Sequence, residues 1–412
     1  MISYDDARAY VLSLIEALEP RPLALDDALG CVIAQRVVAT EAVPGFANSS
    51  MDGYALRADD TRDVPTRLRV TGTTLAGAAP SAPVAPGEAR RIMTGAPLPP
   101  GADSVFMIEE VDVLDEGRVV VIPRRASRGQ NVRQPGEDVT PGDVLVVDGD
   151  VLSPPRIGVL ASQGVRTVLA RPRPRVGVVS TGNELITEGG PLGPGQIRDT
   201  NGPLVRALLR DAGFQAVDLG VALDDEAATT ALLAAGAATC DAVISTGGVS
   251  VGDVDHVKAA ITHLGGERSR WMQIALRPGK PFAVGVTAAS TPLFGLPGNP
   301  VSTRVSFELF VRPALRRMAG HRDVDRPRVR AVLDVALTRN HDQKLHVLHA
   351  RVVVGDDGRW HVVELVRHGS HLLHAIARAN AMLLYPEGPD LATGDEVEVL
   401  LLSMESLNGE VE

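Results

Sequence analysis

Between residues 175 and 323 the chain alternates short apolar runs with segments of helical periodicity. The candidate strands are RVGVVST, FQAVDLG, DAVISTGG and PLFGLPG, and PLVRALLRDAG is one of the candidate helices between them. Strands that alternate with helices form crossover units, which build a mostly parallel sheet. The runs are apolar throughout, as expected of strands covered on both faces. We therefore predict a three-layer α/β domain at residues 173–323.

The segments on either side of this domain have a different sequence pattern. Residues 45–142 carry short runs of β-forming residues between Gly and Pro, which is typical of a small β-rich module. The flanking segments 1–44 and 143–172 are predicted to form one helical and linker domain, with an amphipathic helix at 3–18. Residues 324–412 return to strands and predict a C-terminal β-barrel. The sequence thus predicts four domains, the second inserted into the first.

Charge and composition exclude several classes of protein. The chain has 41 basic and 51 acidic residues, a net charge of −10, which argues against a protein that wraps nucleic acid. No apolar run reaches about 18 residues, so no membrane span is expected. The two cysteines, Cys31 and Cys240, are too far apart in sequence for a disulfide framework. The first ten residues lack the basic character of a signal peptide, and a cytoplasmic location is expected.

Four turns of the α/β region are expected to meet at one edge of the sheet, because ligands bind beyond the carboxyl ends of parallel strands. They are STGNE (180–184), STGGVSVGDVD (245–255), RPGKP (277–281) and LPGNPVS (296–302). In the second turn, Gly247, Gly248 and Ser250 could present backbone N–H groups and a hydroxyl to an oxyanion. The alternative is a tight structural turn, since neither Walker nor Rossmann spacing is present.

Basic residues near this edge suggest an anion site. Arg277 and Lys280 stand across a turn rigidified by two prolines, and a guanidinium beside an ammonium suits a tetrahedral oxyanion. Ser302 stands near the start of a long predicted helix, where a hydroxyl and backbone donors can hold an anion. Lys344 and His346 share one strand face and could add positive charge. The alternatives are a solvated basic turn and an ordinary helix cap.

Three acids follow three different predicted strands. Glu184, Asp224 and Asp255 are expected to converge at the same crevice. Carboxylates together with phosphate oxygens are the usual ligands of Mg²⁺. The alternative for each acid taken separately is helix capping or a solvated surface position.

The N-terminal half carries polar clusters beyond what a plain β-module needs. They are SSMDGYA (49–55), MTGAPLPPGAD (93–103) and NVRQPGED (131–138). Within them, turns that Gly and Pro restrict hold four functional candidates: Asp52, Thr94, Arg133 and Asp138. The alternative interpretation is turn chemistry alone. Seven of the ten histidines fall between His341 and His374, but no carboxylate or cysteine pattern completes a metal site there.

These motifs together resemble the molybdopterin molybdenumtransferases, the family of bacterial MoeA proteins and of the C-terminal domain of gephyrin. The motifs occur in the family's order: SSMDGYA, MTGAPLPPGADSV, RQPGEDV, STGNEL, GGVSVGDVD, RPGKPF and GLPGNPVS. GSHLL (369–373) and ANAMLLYPEG (379–388) also look like the family. The resemblance covers almost the whole chain.

The resemblance implies an elongated four-domain subunit in a homodimer. The active cleft would lie between the α/β domain of one subunit and the β-module of the other. Adenylylated molybdopterin and molybdate would be bound, Mg²⁺ would assist, AMP would be released, and the dithiolene would receive molybdenum. The enzyme that adenylylates molybdopterin then becomes a candidate partner.

The resemblance also implies roles for particular residues. Those that match the family's acids for Mg²⁺ and nucleotide handling are Glu184, Asp224 and Asp255. Those that match positions facing the partner's cleft are Asp52, Thr94, Arg133 and Asp138. Those that match the molybdate region are Arg277, Lys280, Pro281, Ser302 and Ser370.

Departures from the family pattern leave alternatives open. Asn183 stands where Asp is common, Gln273 where some members have Lys, and Lys344 where the family's strand motif has Arg. Lys keeps the positive charge of Arg but cannot form its two parallel hydrogen bonds to an oxyanion. The substitution therefore leaves open which oxyanion is preferred, including molybdate or tungstate. The rival functions are molybdopterin adenylyltransferase, whose fold the α/β region also resembles, and a non-catalytic pterin carrier or scaffold.

Overall fold

The structure is a computed structural model that describes residues 1–77, 79, 82–249, 256–339, 341–365, 369 and 371–403. The chain forms two compact units. The first contains Met1–Pro22, Gly30–Val32 and the chain from Leu169 onward, and the second contains Leu23–Leu29 and Ile33–Val168. Among the described helices, none combines the length and the apolar character needed to cross a bilayer.

A six-stranded sheet lies at the centre of the first unit. Its strands are β1 (Arg175–Thr181), β2 (Gln215–Ala222), β3 (Ala242–Thr246), β4 (Ser269–Gln273), β5 (Pro281–Val286) and β6 (Pro292–Leu296). The strand order is β2-β1-β3-β6-β5-β4, in which the first four strands are parallel, β5 runs antiparallel to them, and β4, antiparallel to β5, runs in the same direction as the first four. The prediction of a mostly parallel sheet is confirmed.

Helices cover both faces of this sheet, as the continuous apolar runs predicted. On one face lie α1 (Tyr4–Ser13), α2 (Asn201–Asp211), α5 (Pro300–Ser306), a π-helical turn (Phe307–Val311) and α6 (Arg312–Met318). On the other face lie α3 (Glu226–Thr239) and α4 (His256–Gly265). Within one strand, Val178 packs in the first core and Val179 in the second, because successive side chains point to opposite faces.

Helix α1 begins where the sequence predicts and ends earlier. Ser3 caps it by accepting a hydrogen bond from the Asp6 N–H (3.1 Å). The predicted end at residue 18 is wrong, because the helix ends at Ser13. The Leu18 N–H instead donates to the Met318 carbonyl (2.7 Å), so tertiary contact with α6 replaces the last helical turn. Its buried residues, Ala7 and Val11, join the core of the α/β sheet.

The C-terminal part of the first unit is a closed five-stranded β-barrel, as predicted. Its strands are β7 (Arg328–Leu333), β8 (Leu345–Val354), β9 (Trp360–Leu365), β10 (Ala381–Tyr385) and β11 (Glu396–Leu401). The order is β8-β9-β7-β11-β10, and β10 pairs again with β8 to close the barrel. The two-residue strand Leu276–Arg277 adds to β8 in parallel and so attaches the chain before β5 to the barrel. A short helix, Leu373–Ile376, precedes β10.

The second unit is rich in β-strands, as predicted. Its main sheet contains Gly53–Leu56, Thr66–Thr74, Glu88–Ile92, Ser104–Met107, Asp112–Leu114 and Val119–Ile122. Two smaller sheets pair Asn48–Ser49 with Val132–Arg133, and Val37–Val38 with Val144–Val146. The helix Pro154–Ser162 completes this unit.

Further short elements complete the description. Strands at Arg21–Ala24, Val32–Ile33 and Thr167–Arg171 lie where the chain passes from one unit to the other. A small ribbon pairs Leu185–Ile186 with Ile197–Arg198. Short 3₁₀ helices lie at Leu25–Ala28, Ala58–Thr61, Ile108–Glu110, Asp115–Gly117 and Gly266–Arg268.

Candidate active site

The carboxyl ends of β1, β3 and β6 open into a cavity of about 1260 Å³. The turn before β5 reaches the same edge because β5 runs antiparallel to β6. The four turns expected at this edge all contribute lining residues: Thr181, Gly182 and Glu184; Thr246 to Val249; Arg277 to Pro281; and Pro297 to Ser302. The barrel and the segment before its strand β10 contribute further lining residues, which include Lys344, His346, His349, Gly369 and His371.

Two of the three predicted acids line this cavity. Glu184 and Asp224 are exposed carboxylates on neighbouring loops after β1 and β2. Reciprocal hydrogen bonds join the loops: the Asn183 N–H donates to Asp224 Oδ2 (3.3 Å), and the Asp224 N–H donates to Asn183 Oδ1 (3.1 Å). Asp255 lies outside the described residues, as do Asp253 and Ser250.

The glycines after β3 are required by close packing. A Cβ at Gly247 would lie 2.7 Å from Thr181 Oγ1 and 2.9 Å from the Thr181 carbonyl oxygen. Gly247 and Gly248 both have positive φ, at 92° and 64°, a conformation that favours glycine. The turn therefore runs against the end of β1 and leaves its backbone facing the cavity.

The basic residues line the cavity from two directions. Arg277 and Lys280 come from the turn before β5, and Lys344 comes from the residue before β8. The structure gives the Lys280 ammonium no ion-pair partner among the residues it describes. Ser302, only 5% exposed, stands in the first turn of α5 and lines the same cavity. Pro281 also lines the cavity, and Ser370 lies outside the described residues.

The basic residues Arg277, Lys280, Lys344 and His346 are called the basic wall below. A carboxylate that the sequence interpretation missed links three of them to one another. Asp342 accepts hydrogen bonds from Lys344 Nζ (3.0 Å), His346 Nε2 (2.8 Å) and Arg277 Nη1 (3.4 Å). Burial by itself raises the pKa of Asp342, but the hydrogen bonds from His346 and Lys344 prevail and hold that pKa well below its usual range. The carboxylate is therefore ionised at neutral pH. The two-residue spacing of Lys344 and His346 does not indicate that Asp342 joins the three basic residues, because Arg277 lies 65 residues away from Asp342 in the sequence.

Asp199 and Asn201 also line the cavity, and sequence reasoning missed both. Asp199 accepts hydrogen bonds from the Ser180 hydroxyl (2.8 Å) and the Gly202 N–H (3.0 Å), and so joins β1 to the start of α2. The Asn201 side-chain amide donates to the Gly298 carbonyl (2.6 Å). Asp199 lies four residues before the predicted helix, which begins at Pro203, and two before the observed start of α2 at Asn201; an acid near a helix start is a usual capping signal and could have pointed to it.

Histidines contribute to the cavity more than the sequence indicated. His256, His346, His349 and His371 line it, and His368 lies outside the described residues. His341 instead pairs with Glu387 through Nδ1 (3.0 Å). Within the described ranges no group of three or more His, Cys, Asp or Glu side chains is arranged to hold a metal ion. Gln273 ends β4, where its carbonyl accepts the Ile2 N–H (2.9 Å).

The polar clusters of the second unit meet each other within that unit. Asp52 Oδ1 accepts hydrogen bonds from the Thr94 N–H (2.6 Å) and hydroxyl (2.8 Å), and these bonds lower the pKa of Asp52. Arg133 belongs to the strand that pairs with Asn48–Ser49, directly before the Asp52 turn. Asp138 lies in a separate turn, where its N–H donates to the Val43 carbonyl (2.9 Å). All four predicted residues are exposed.

The fold and the cavity define the class: a multidomain protein built around a three-layer α/β domain of the molybdopterin-binding type. Three family models match the chain: the MoeA N-terminal region (domain I and II) over residues 2–164, the probable molybdopterin binding domain over residues 177–317, and the MoeA C-terminal region (domain IV) over residues 330–402. The chain belongs to the MoeA family.

Individual relatives agree with this assignment. The chain is 38% identical over 410 residues to molybdopterin molybdenumtransferase 2 of Mycobacterium tuberculosis, a match that covers 97% of this chain and 99% of that protein. It is 34% identical to molybdopterin molybdenumtransferase of Haemophilus influenzae, over 97% and 98% of the two chains. A crystal structure of a molybdopterin biosynthesis MoeA protein from Pyrococcus horikoshii superposes with a TM-score of 0.76 at 30% identity, covering 98% of this chain and 99% of that one.

Proposed function

We propose that this protein is a molybdopterin molybdenumtransferase of molybdenum cofactor biosynthesis. The reaction takes adenylylated molybdopterin and molybdate, cleaves the pyrophosphate bridge to release AMP, and leaves molybdenum on the dithiolene. One observation carries the proposal: a single cavity of about 1260 Å³ has the carboxylates Glu184 and Asp224 on its wall together with the cations Arg277, Lys280 and Lys344. A molybdopterin adenylyltransferase would supply the adenylylated substrate.

The basic wall is the proposed molybdate subsite. Molybdate is a tetrahedral dianion, and Arg277, Lys280 and Lys344 offer charge and N–H donors to its oxygens. The hydroxyl of Ser302 and the first N–H groups of α5 add donors from another direction. By motif position Pro281 and Ser370 complete this subsite. The backbone of Gly247, Gly248 and Ser250 is proposed to hold the pterin or its phosphate.

Mg²⁺ is the proposed cofactor, and the donor set fits it. Glu184 and Asp224 present exposed oxygen ligands in one cavity, and Mg²⁺ characteristically uses one or two carboxylates together with substrate phosphates and water. Asp255, which follows the β3 turn in sequence, is the proposed third ligand. When bound, Mg²⁺ supplies a Lewis acid that offsets negative charge on the pyrophosphate bridge.

The residues of this chain align the reactants. The Asn183–Asp224 pair holds the Asp224 loop beside the Glu184 loop, and Asn201 holds the start of α2 against the turn before α5. Carboxylates and cations that line one cavity bring pyrophosphate and molybdate together, which replaces a bimolecular encounter with a positioned one. We further propose a homodimer in which Asp52, Thr94, Arg133 and Asp138 complete the cleft of the partner subunit.

Substitution of Asp224 tests the catalytic proposal. Asp224→Asn keeps the size of the side chain and removes the charge, so we expect AMP release from adenylylated molybdopterin, in the presence of molybdate and MgCl₂, to slow by at least about tenfold. Asp255→Asn is expected to act in the same way. AMP is measured by chromatography at several MgCl₂ concentrations.

The neighbouring residue provides a matched control for this test. Asp225→Asn makes the same substitution one residue later, outside the cavity lining, and Asn is as good a helix cap as Asp. Its rate should equal that of the unsubstituted protein. Equal rates for Asp224→Asn and Asp225→Asn would contradict the role of Asp224. Consumption of ATP with free molybdopterin would instead indicate an adenylyltransferase, and pterin binding without AMP release a carrier.

A further inference from the structure

We propose that Asp342 is an internal counter-ion of the basic wall, which limits the affinity of the cavity for oxyanions and so helps to determine oxyanion specificity. This inference rests on the oxyanion subsite of the proposed function. Its basis is the triple contact of one carboxylate with Lys344, His346 and Arg277, all three of which line the cavity. Asp342 itself is not a lining residue.

The charges of the wall support a counter-ion role. Arg277, Lys280 and Lys344 contribute three positive charges and Asp342 one negative charge, so these four side chains together carry a net charge of +2. Two positive charges match a dianion. Without Asp342 the basic wall would carry more positive charge and would hold any anion tightly. With Asp342 the positive charge is lower, so the wall can release its ligand.

The wall is also held by contacts that do not involve Asp342. The Arg339 guanidinium donates to the Lys344 carbonyl, and its Nη2 pairs with Glu387 (3.0 Å). The Leu345 N–H donates to the Ala275 carbonyl (2.9 Å), and Arg277 is in strand register with His346. Because these contacts fix the backbone, neutralising Asp342 should change the charge of the wall rather than dismantle it.

The expected effect scales with ligand charge. The Coulomb energy between Asp342 and a bound anion is proportional to the charge of the anion, so the change in affinity for a dianion is the square of that for a monoanion at the same position. Asp342→Asn should tighten molybdate binding by about tenfold and perrhenate binding by about threefold. Perrhenate is a suitable probe because it is tetrahedral like molybdate and carries one charge.

The experiment measures dissociation constants of molybdate and perrhenate by calorimetry at low salt. The proteins compared are the unsubstituted chain, Asp342→Asn, Asp342→Glu, which keeps the charge, and Asp334→Asn. Asp334 pairs with His361 on the barrel and lies outside the cavity lining, so its substitution removes one charge away from the wall. Asp342→Glu and Asp334→Asn are expected to leave both constants within about twofold of their original values.

The possible outcomes separate this inference from the function on which it rests. Tightening of both anions in Asp342→Asn, larger for molybdate, supports the counter-ion role. Weaker or unchanged binding of both anions in a folded Asp342→Asn protein overturns it. If Asp342→Asn does not fold, Asp342→Ser removes the same charge with a smaller side chain and is subject to the same two outcomes. No molybdate binding by any of the proteins overturns the oxyanion subsite as well.

Discussion

A side chain at position 53 would collide with the backbone of the neighbouring strand. A Cβ built on Gly53 lies 1.9 Å from the Phe106 carbonyl oxygen and 2.8 Å from its carbonyl carbon. Gly53 pairs with Met107 and directly follows Asp52, whose carboxylate is bound by Thr94. The glycine of SSMDGYA therefore allows the polar turn to lie directly on the sheet of the second unit.

We expect Gly53→Ala to destabilise the protein by about 1–3 kcal/mol, because the added methyl group forces two strands apart. The measurement is the denaturant midpoint of the transition that reports on the second unit. Gly158→Ala is the matched control: Gly158 lies in the helix Pro154–Ser162 with no atom near its built Cβ, and alanine there should stabilise by up to about 1 kcal/mol. A Gly53→Ala midpoint at or above the original would contradict the close-packing argument.

At the scale of elements, a histidine joins strand β9 to two neighbouring turns of the barrel. His361 Nδ1 lies 2.9 Å from Asp334 Oδ1, and Nε2 lies 3.1 Å from Asp357 Oδ1. The hydrogen bond that His361 donates to Asp334, followed by that to Asp357, raises the pKa of His361. Two carboxylates on one ring favour the imidazolium, in which both nitrogens donate.

This cluster predicts a pH-dependent contribution to barrel stability. The raised folded-state pKa means that the contribution is fully present below the unfolded pKa of about 6.5 and is lost as pH rises through the folded value. His361→Gln should therefore lower the thermal midpoint more at about pH 5.5 than at about pH 8.5. An equal difference between the two proteins at both pH values would show that the ring is bound only as a neutral group.

The secondary-structure elements also show where tertiary contacts override the local sequence pattern. Continuous apolar runs predicted the doubly covered strands correctly, because helices on both faces demand apolar side chains at every position. The predicted helix at 3–18 extended past its true end, because the Leu18 N–H is used by Met318 of α6. No local pattern contains that carbonyl, which is contributed from 300 residues further along the chain.

At the scale of the whole molecule, the chain carries two separate sets of candidate site residues. One lines the cavity of the first unit, and the other lies in the second unit, with Asp52 and Thr94 in contact and Asp138 in a separate turn. The proposed homodimer would combine the cavity of one subunit with the polar cluster of the other. The division of the chain into four domains is, like the homodimer, a proposal.

Mixing two inactive variants tests this arrangement. Asp52→Ala and Lys280→Ala each remove one half of the proposed shared site, and each alone should lack activity. In a mixed dimer one of the two sites is free of substitutions, so random exchange of subunits should restore about one quarter of the original AMP release. No recovery, although light scattering and labelled subunits show that mixed dimers form, would indicate that each site belongs to one subunit. A monomer in solution would contradict the homodimer itself.

The sequence by itself determined the layers of the α/β domain, the β-rich character of the remaining segments and the family. It also indicated the four turns of the cavity, because a parallel sheet brings the carboxyl ends of its strands to one edge whatever the length of the connections. These features follow from local periodicity and from topology, both of which can be inferred from the order of residues in the sequence.

The tertiary structure alone decided how the charges of the cavity are paired. Lys344, His346 and Arg277 were visible as basic residues, yet their common carboxylate was not, because Asp342 meets Arg277 only where the strand Leu276–Arg277 adds to β8. Asp199 and Asn201 were likewise brought to the cavity by the packing of α2 against the sheet. Electrostatic interactions depend on distances in space, and for residues far apart in sequence those distances exist only in the folded chain.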